Sequence, residues 1–185
     1  GSHPLSKIFD IIASGQLDVR TGPVALRNVA QSVVASYEQV IRQRSLSVTI
    51  ASEGWPATLM ADEALLELAF SNVLGNAIKY TPDGGSITLA AETRDSVVRV
   101  TIQDTGIGID PADQIHIFER FYTAGDTQLH STSKAAFRGG GLGLGLALVS
   151  RIVRAHGGEL SCDSELGKGT TMSISLPLEP PSRSS

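Results

Sequence analysis

Asn72, Asn76, Lys79 and Tyr80 stand four, three and one residues apart within an apolar run of helical spacing. On a helix advancing 100° per residue they fall within an arc of about 100°, opposite Phe70, Val73, Leu74, Ala77 and Ile78. Asparagine is a poor residue for a helix interior, so two on one stripe weaken the helix without local return. Their amide oxygens are neutral, hard ligands of the kind magnesium accepts alongside water and phosphate oxygens. Lys79, one turn on, offers a point charge for phosphate. A solvated helix face would explain these residues taken alone.

Two further groups give them company. Val98, Val100 and Ile102 alternate with Arg99, Thr101 and Gln103, and continued alternation turns Asp104 toward the core. A carboxylate placed there is costly unless donors meet it. An adenine amino group with an ordered water is one suitable donor. Gly106 and Gly108 let backbone pass close to a flat ring, with Ile107 and Ile109 among the same expected contacts. Later, Gly139, Gly140, Gly141, Leu142, Gly143 and Leu144 run through Gly145 and Leu146 into a helix. A helix N-terminus offers unpaired N–H groups and partial positive charge to an anion, and glycine allows close approach. Between positions 120 and 154, Arg120, Lys134, Arg138, Arg151 and Arg154 face Asp126 alone, a basic excess that suits a triphosphate. Read together, the groups describe a pocket for a nucleotide and its magnesium ion. The Gly167-Lys168-Gly169 turn is no P-loop, and the glycine run contains no dinucleotide fingerprint.

Elements must position these residues. The spacing predicts a helix over 25–44, strands at 47–50 and 58–60, and a helix over 62–79 with Asp62 as N-cap. Strands at 86–92 and 97–103 form a hairpin through Arg94-Asp95. A short helix over 111–118 and a loop at 122–138 precede a helix over 142–156, closed by Gly157-Gly158. Strands at 159–163 and 170–176 finish the pattern, and 16–24 is a brief extended segment. The expected fold is α/β (α+β): a two-layer sandwich whose mixed, mostly antiparallel five-stranded sheet carries helices on one face.

The chain's 185 residues, 41% hydrophobic and 18% charged, fit one soluble domain. A net charge of −4 argues against nucleic acid or an anionic membrane surface as the main partner. One cysteine, Cys162, excludes an internal disulfide and fits a reducing compartment. No apolar run reaches the length of a membrane span. The chain is expected to be cytoplasmic, on its own or as the cytoplasmic part of a membrane-bound sensor, and the isolated fragment to be a monomer. Residues 1–3 have the look of an expression scar, and 179–185 of a disordered tail.

The asparagine helix, Asp104-Thr105-Gly106-Ile107-Gly108, Ile117-Phe118-Glu119-Arg120-Phe121, the glycine-leucine run and Gly167-Lys168-Gly169-Thr170 follow one another in a characteristic order. In that order they resemble the catalytic, ATP-binding domain of sensor histidine kinases, a Bergerat-type fold shared with gyrase, the Hsp90 chaperones and MutL. The resemblance covers residues 16–178. It implies ATP and Mg2+ as cofactors, with Asn76 on the metal and Asp104 reading adenine. It also implies that Asn72, Lys79 and Tyr80 lie along the triphosphate and that residues 141–146 close over it. Phe118 and Phe121 would anchor that lid, with Arg138 nearby and Thr170 behind the base. Relatives that hydrolyse ATP carry a glutamate where this chain has Asn72, which cannot act as a general base, so hydrolysis should be slow.

The phosphate acceptor in that family is a histidine on a separate dimerising hairpin, from which a response regulator is charged. No such motif is present, and His116, His130 and His156 read as structural or solvated. Residues 4–15, with Leu5, Ile8, Phe9 and Ile12 in helical spacing, are expected to be the end of the hairpin's second helix and its linker. Three alternatives stay open: an ATPase clamp, a serine kinase of the anti-sigma type, and a nucleotide-binding module without transfer activity.

Overall fold

Apolar alternation over 86–104 and helical periodicity over 63–80 become the two central pieces of the molecule, a pair of sheet strands and the helix laid across them. The computed structural model describes residues 18–106, 145–165 and 168–179. In chain order its elements are β1 (Gly22–Val24), α1 (Leu26–Ser36), α2 (Glu38–Gln43), β2 (Ser47–Ile50) and β3 (Leu59–Ala61). They continue with α3 (Glu63–Tyr80), β4 (Ser86–Arg94), β5 (Val97–Asp104), α4 (Gly145–Ala155), β6 (Glu159–Glu165) and β7 (Gly169–Pro177). Expectations for 1–17, for the helix at 111–118, for the loop at 122–138 and for the tail from 180 lie outside the described residues.

The main sheet has the order β2-β4-β5-β7-β6. Only the β2–β4 pairing is parallel; the remaining neighbours are antiparallel. This is the expected mixed five-stranded sheet. Its inner face contributes Ile87, Leu89, Val98, Val100, Ile102, Met172, Ile174 and Leu176, all buried. Across from them, α3 lies between α1 and α4 and presents Leu65, Leu66, Ala69, Phe70, Val73, Leu74, Ala77 and Ile78. Full burial of one such leucine or phenylalanine favours folding by about 1.5–3 kcal/mol, so this seam is the main source of stability.

The start of α3 is held by several groups. Asp62 stands extended before the helix, and its Oδ1 accepts from the Leu65 N–H at 3.1 Å, as an N-cap does. Its Oδ2 accepts from the Arg20 N–H at 3.0 Å. The Asp62 N–H in turn donates to His156 Nε2 at 3.0 Å. His156 is fully buried and lies just past the end of α4, with Nδ1 2.8 Å from the Ile152 carbonyl. Since Nε2 accepts, Nδ1 carries the proton and donates. The structural reading of His156 holds, with a neutral imidazole tying the end of α4 to the start of α3. The expected stop after α4 is present too: Gly157 takes φ +80°, and its N–H donates to the Arg154 carbonyl at 2.9 Å.

Two expectations need correction. The helix expected over 25–44 is two helices broken at Tyr37, whose hydroxyl donates to the Ser71 carbonyl of α3 at 2.9 Å. A side chain reaching a carbonyl 34 positions away outweighs local periodicity. The extended segment expected over 16–24 is borne out from Gly22 to Val24 as β1, which pairs antiparallel with β3 in a separate two-stranded sheet. Finally, the hairpin turns through Asp95-Ser96 rather than Arg94-Asp95, because Arg94 still pairs with Val97. Both turn residues take left-handed backbone, with φ of +53° and +65°. This is the primed geometry that matches strand twist and that usually selects Asn-Gly.

Serine in that conformation is strained, by about 1 kcal/mol or more. Ser96→Gly is therefore expected to raise stability by about 0.5–1 kcal/mol in urea unfolding. An unchanged or lowered midpoint would mean that the turn holds no such strain.

Candidate functional site

The site grows from the junction of the last turns of α3 with the end of β5. On α3 the stripe is placed as expected: Asn72, Asn76, Lys79 and Tyr80 are half-buried, while Val73, Leu74, Ala77 and Ile78 are in the core. Asn72 Nδ2 donates to the Leu68 carbonyl one turn back at 2.8 Å, which leaves the amide oxygen for another partner. The Asn76 side-chain amide makes no hydrogen bond to any described residue. Burial holds the Lys79 ammonium below the ordinary lysine value. The same cause pushes the Tyr80 phenol up, so it stays a neutral donor.

At the end of β5, Asp104 continues the alternation of Val98, Val100 and Ile102 and is only 5% exposed. Strand register sets it opposite Ile87 on one side and Thr170 on the other. Its Oδ1 accepts two backbone N–H groups, from Gly106 at 2.8 Å and from Thr170 at 3.2 Å. Its Oδ2 takes no hydrogen bond from the described residues. Burial raises the Asp104 pKa above the usual carboxylate value, and the two N–H groups offset only part of that rise. Thr170 is buried as well, with its hydroxyl 2.7 Å from the Ser164 hydroxyl.

Two glycines let the backbones close on this carboxylate. A Cβ on Gly106 would stand 2.4 Å from the Tyr80 carbonyl oxygen and 2.7 Å from Asp104 Oδ1. The turn after β5 thus lies directly against the last turn of α3, which brings the stripe and the carboxylate together. Gly169 has φ +103°, and a Cβ there would meet the Asp104 carbonyl at 2.1 Å. Asn76 sits one turn back from Tyr80 along α3, about 6 Å, and Asn72 a further turn. The open carboxylate oxygen, the close backbone at Gly106 and an unspent amide on Asn76 form a donor set that fits a purine base and a hard divalent cation. Among the described residues no cluster of three carboxylate, histidine or cysteine groups could hold a metal by itself, so such an ion would lean on ligand oxygens.

Several site residues expected from sequence lie outside the described residues: Ile107, Gly108, Ile109, Phe118, Phe121, Arg138, Gly139, Gly140, Gly141, Leu142, Gly143 and Leu144. The helix that follows them is described from Gly145, and Gly145 and Leu146 are buried. Other residues of the site escaped the sequence reading. Arg44 bonds the carbonyls of Ile78 and Thr81 and meets Asp83 Oδ1 at 2.8 Å. Ser164 supports Thr170, and Tyr37 lies against Gly75, where a Cβ would come within 2.8 Å of its hydroxyl oxygen. A basic residue ending one helix with an acidic partner in a later turn was a usable sign for Arg44. The other two contacts leave no local mark.

Residues 61–180 match the family described as histidine kinase-, DNA gyrase B- and HSP90-like ATPase. The chain belongs to this family. Among relatives within it, the sensor histidine kinase RppB of Synechocystis is 41% identical over 63% of this chain and 24% of its own length. The histidine protein kinase DivJ of Caulobacter vibrioides is 32% identical over 96% of this chain and 29% of its own. The chain thus spans less than a third of these curated relatives. The full-length structure of ShkA in complex with AMPPNP aligns with a TM-score of 0.75 at 28% identity, covering 94% of this chain and 35% of ShkA. The catalytic domain of the histidine kinase ThkA aligns with a TM-score of 0.71 at 23% identity, covering 87% of this chain and 97% of that one. The two-layer fold is therefore that of histidine kinase catalytic domains. No helix among the described residues is long and apolar enough to cross a membrane.

The Asp104 environment has a measurable signature. Its ordinary pKa of 3.8 is raised in the folded state, so the folded protein holds that proton to higher pH than the unfolded chain. Its contribution to stability therefore falls as pH rises from 3.8 through the raised value, and stays low above it. Asp104→Asn removes this loss and is expected to match or exceed the wild type in stability at pH 7, with the difference vanishing below pH 3.8. Urea midpoints across that range check it. A variant clearly less stable at pH 7 would show the carboxylate to be structural.

Proposed function

We propose that this chain binds Mg-ATP through the asparagine stripe of α3 and the turn at Asp104. In its parent protein it would pass the γ-phosphate to a histidine on a separate helical hairpin, which in turn would charge a response regulator. The observation that carries this is the state of Asp104: buried, with Oδ1 occupied by two N–H groups and Oδ2 left for one more donor. An amino group on a purine supplies that donor, and Gly106 lets the turn after β5 close on the last turn of α3, beside the carboxylate. Thr170, fixed beside Asp104 by strand register, would back the base. Asn76 would hold magnesium, whose charge offsets that of the phosphates, and Asn72, Lys79 and Tyr80 would line the chain of phosphates. Arg138, Phe121 and the residues from 139 to 144 enter this reading on sequence alone.

Transfer rather than hydrolysis follows from Asn72. The Asn72 amide has one N–H on Leu68 and a second that can orient a phosphate, but it cannot take a proton from water. Positioning and charge neutralisation are what phosphoryl transfer asks of a protein, and these residues supply both. The names of RppB and DivJ and the AMPPNP complex of ShkA support the reading. Use of ATP places the domain on the cytoplasmic side of its parent.

Three measurements test it. Asp104→Asn should weaken ATP binding about ten- to a hundredfold, the loss of one charge-assisted hydrogen bond. Equal affinity by calorimetry would remove the adenine assignment. Asn76→Ala should make ATP affinity indifferent to magnesium, and a retained magnesium effect would move the metal elsewhere. The chain mixed with the parent's hairpin and ATP should yield an acid-labile phosphohistidine, with little phosphate released when the hairpin is left out. Steady release without an acceptor would favour an ATPase clamp.

A further inference from the structure

The helix that carries the stripe ends in an unusual way for a site that receives phosphates. The last four carbonyls of a helix lack intrahelical donors and carry about half a negative charge in sum. A glycine cap would satisfy some of them through backbone N–H groups. Here Thr81 is extended instead, and side chains do the work. The Thr81 hydroxyl donates to the Ala77 carbonyl at 2.6 Å. Arg44 takes the next carbonyl and ties it to the chain beyond the helix: Nη1 donates to Ile78, Nη2 to the Thr81 carbonyl and Nε to Asp83 at 2.8 Å. The Arg44 carbonyl then accepts the Gly84 N–H at 3.0 Å, which closes a loop of contacts between the end of α2 and the chain leaving α3.

We propose that Arg44 is a positioning residue for the phosphate half of the nucleotide site, acting through the last turn of α3. This rests on the nucleotide reading given above. Ile78 and Thr81 bracket Lys79 and Tyr80, so the planar fork fixes the turn from which both side chains project. Its charge also offsets the negative helix end that a polyphosphate would otherwise face. Both effects bear more on the phosphates, since Lys79 and Tyr80 project from that turn, than on the base, beside which the Gly106 backbone meets the turn at the Tyr80 carbonyl. Asp104 and Gly106 belong to the neighbouring turn and make no hydrogen bond with Arg44. Lysine cannot reproduce the fork, though it restores the charge.

The test compares ligands that differ only in phosphate. Dissociation constants for ATP, ADP and adenosine are measured for the wild type, Arg44→Gln and Arg44→Lys, with thermal midpoints recorded alongside. Arg44→Gln is expected to lose about five- to tenfold in ATP affinity, less for ADP, and to bind adenosine as the wild type does. Arg44→Lys should recover part of the ATP loss, and it keeps the comparison available if the glutamine variant melts below the assay temperature. Unchanged ATP affinity in both variants overturns the proposal, as does an equal loss for ATP and adenosine, which a merely structural cap would give. A wild type that binds no ATP removes the nucleotide reading first, and the role of Arg44 with it.

Discussion

A carboxylate kept in the interior at the end of a central strand is the constraint around which this molecule is arranged. Asp104 is held there because strand pairing on both sides fixes where β5 stops and which way its last side chain turns. The two N–H groups on Oδ1 make burial tolerable without neutralising the cost, as its raised pKa records. The close backbones at Gly106 and Gly169 follow from the same need, since a side chain at either would push the donors away. Stability is given up locally so that one acceptor oxygen stays in a low-dielectric setting, where a hydrogen bond discriminates most sharply between ligands.

The asparagine helix answers that constraint from the other layer. Its apolar seam is sunk between sheet and neighbouring helices, which sets the rotation of the polar stripe. Its two ends are pinned by its own caps, Asp62 and Thr81, and by groups from distant parts of the chain, His156 at the start and Arg44 at the finish. A helix so fixed in rotation and length can offer weakly helix-forming asparagines at defined positions, because packing, not propensity, holds it in place.

Much of this could be read from the residues. Alternation through Val98, Val100 and Ile102 foretold the burial of Asp104, and helical spacing foretold which side of α3 faces the core. Both are periodic signals that extend over many residues and so survive local noise. What escaped detection is short or remote. The pairing of β1 with β3 leaves no mark on either short segment, and the break at Tyr37 is caused by a carbonyl on another helix. The turn at Asp95-Ser96 lacks the glycine that normally advertises it. Arg44 and Ser164 belong to the same class, since their importance lies in partners that only the fold supplies.

The small second sheet has a topological meaning of its own. Strand β3 is grasped on one edge by β1, near the first described residues, while the Met60 N–H donates to the carbonyl of Leu178, near the last. Leu178 reaches on to Ser96 at the hairpin. The segment around β1 and the segment leaving β7 thus meet on the two sides of one short strand. Loosening β3 would release both together, which makes this corner a single cooperative unit of local opening.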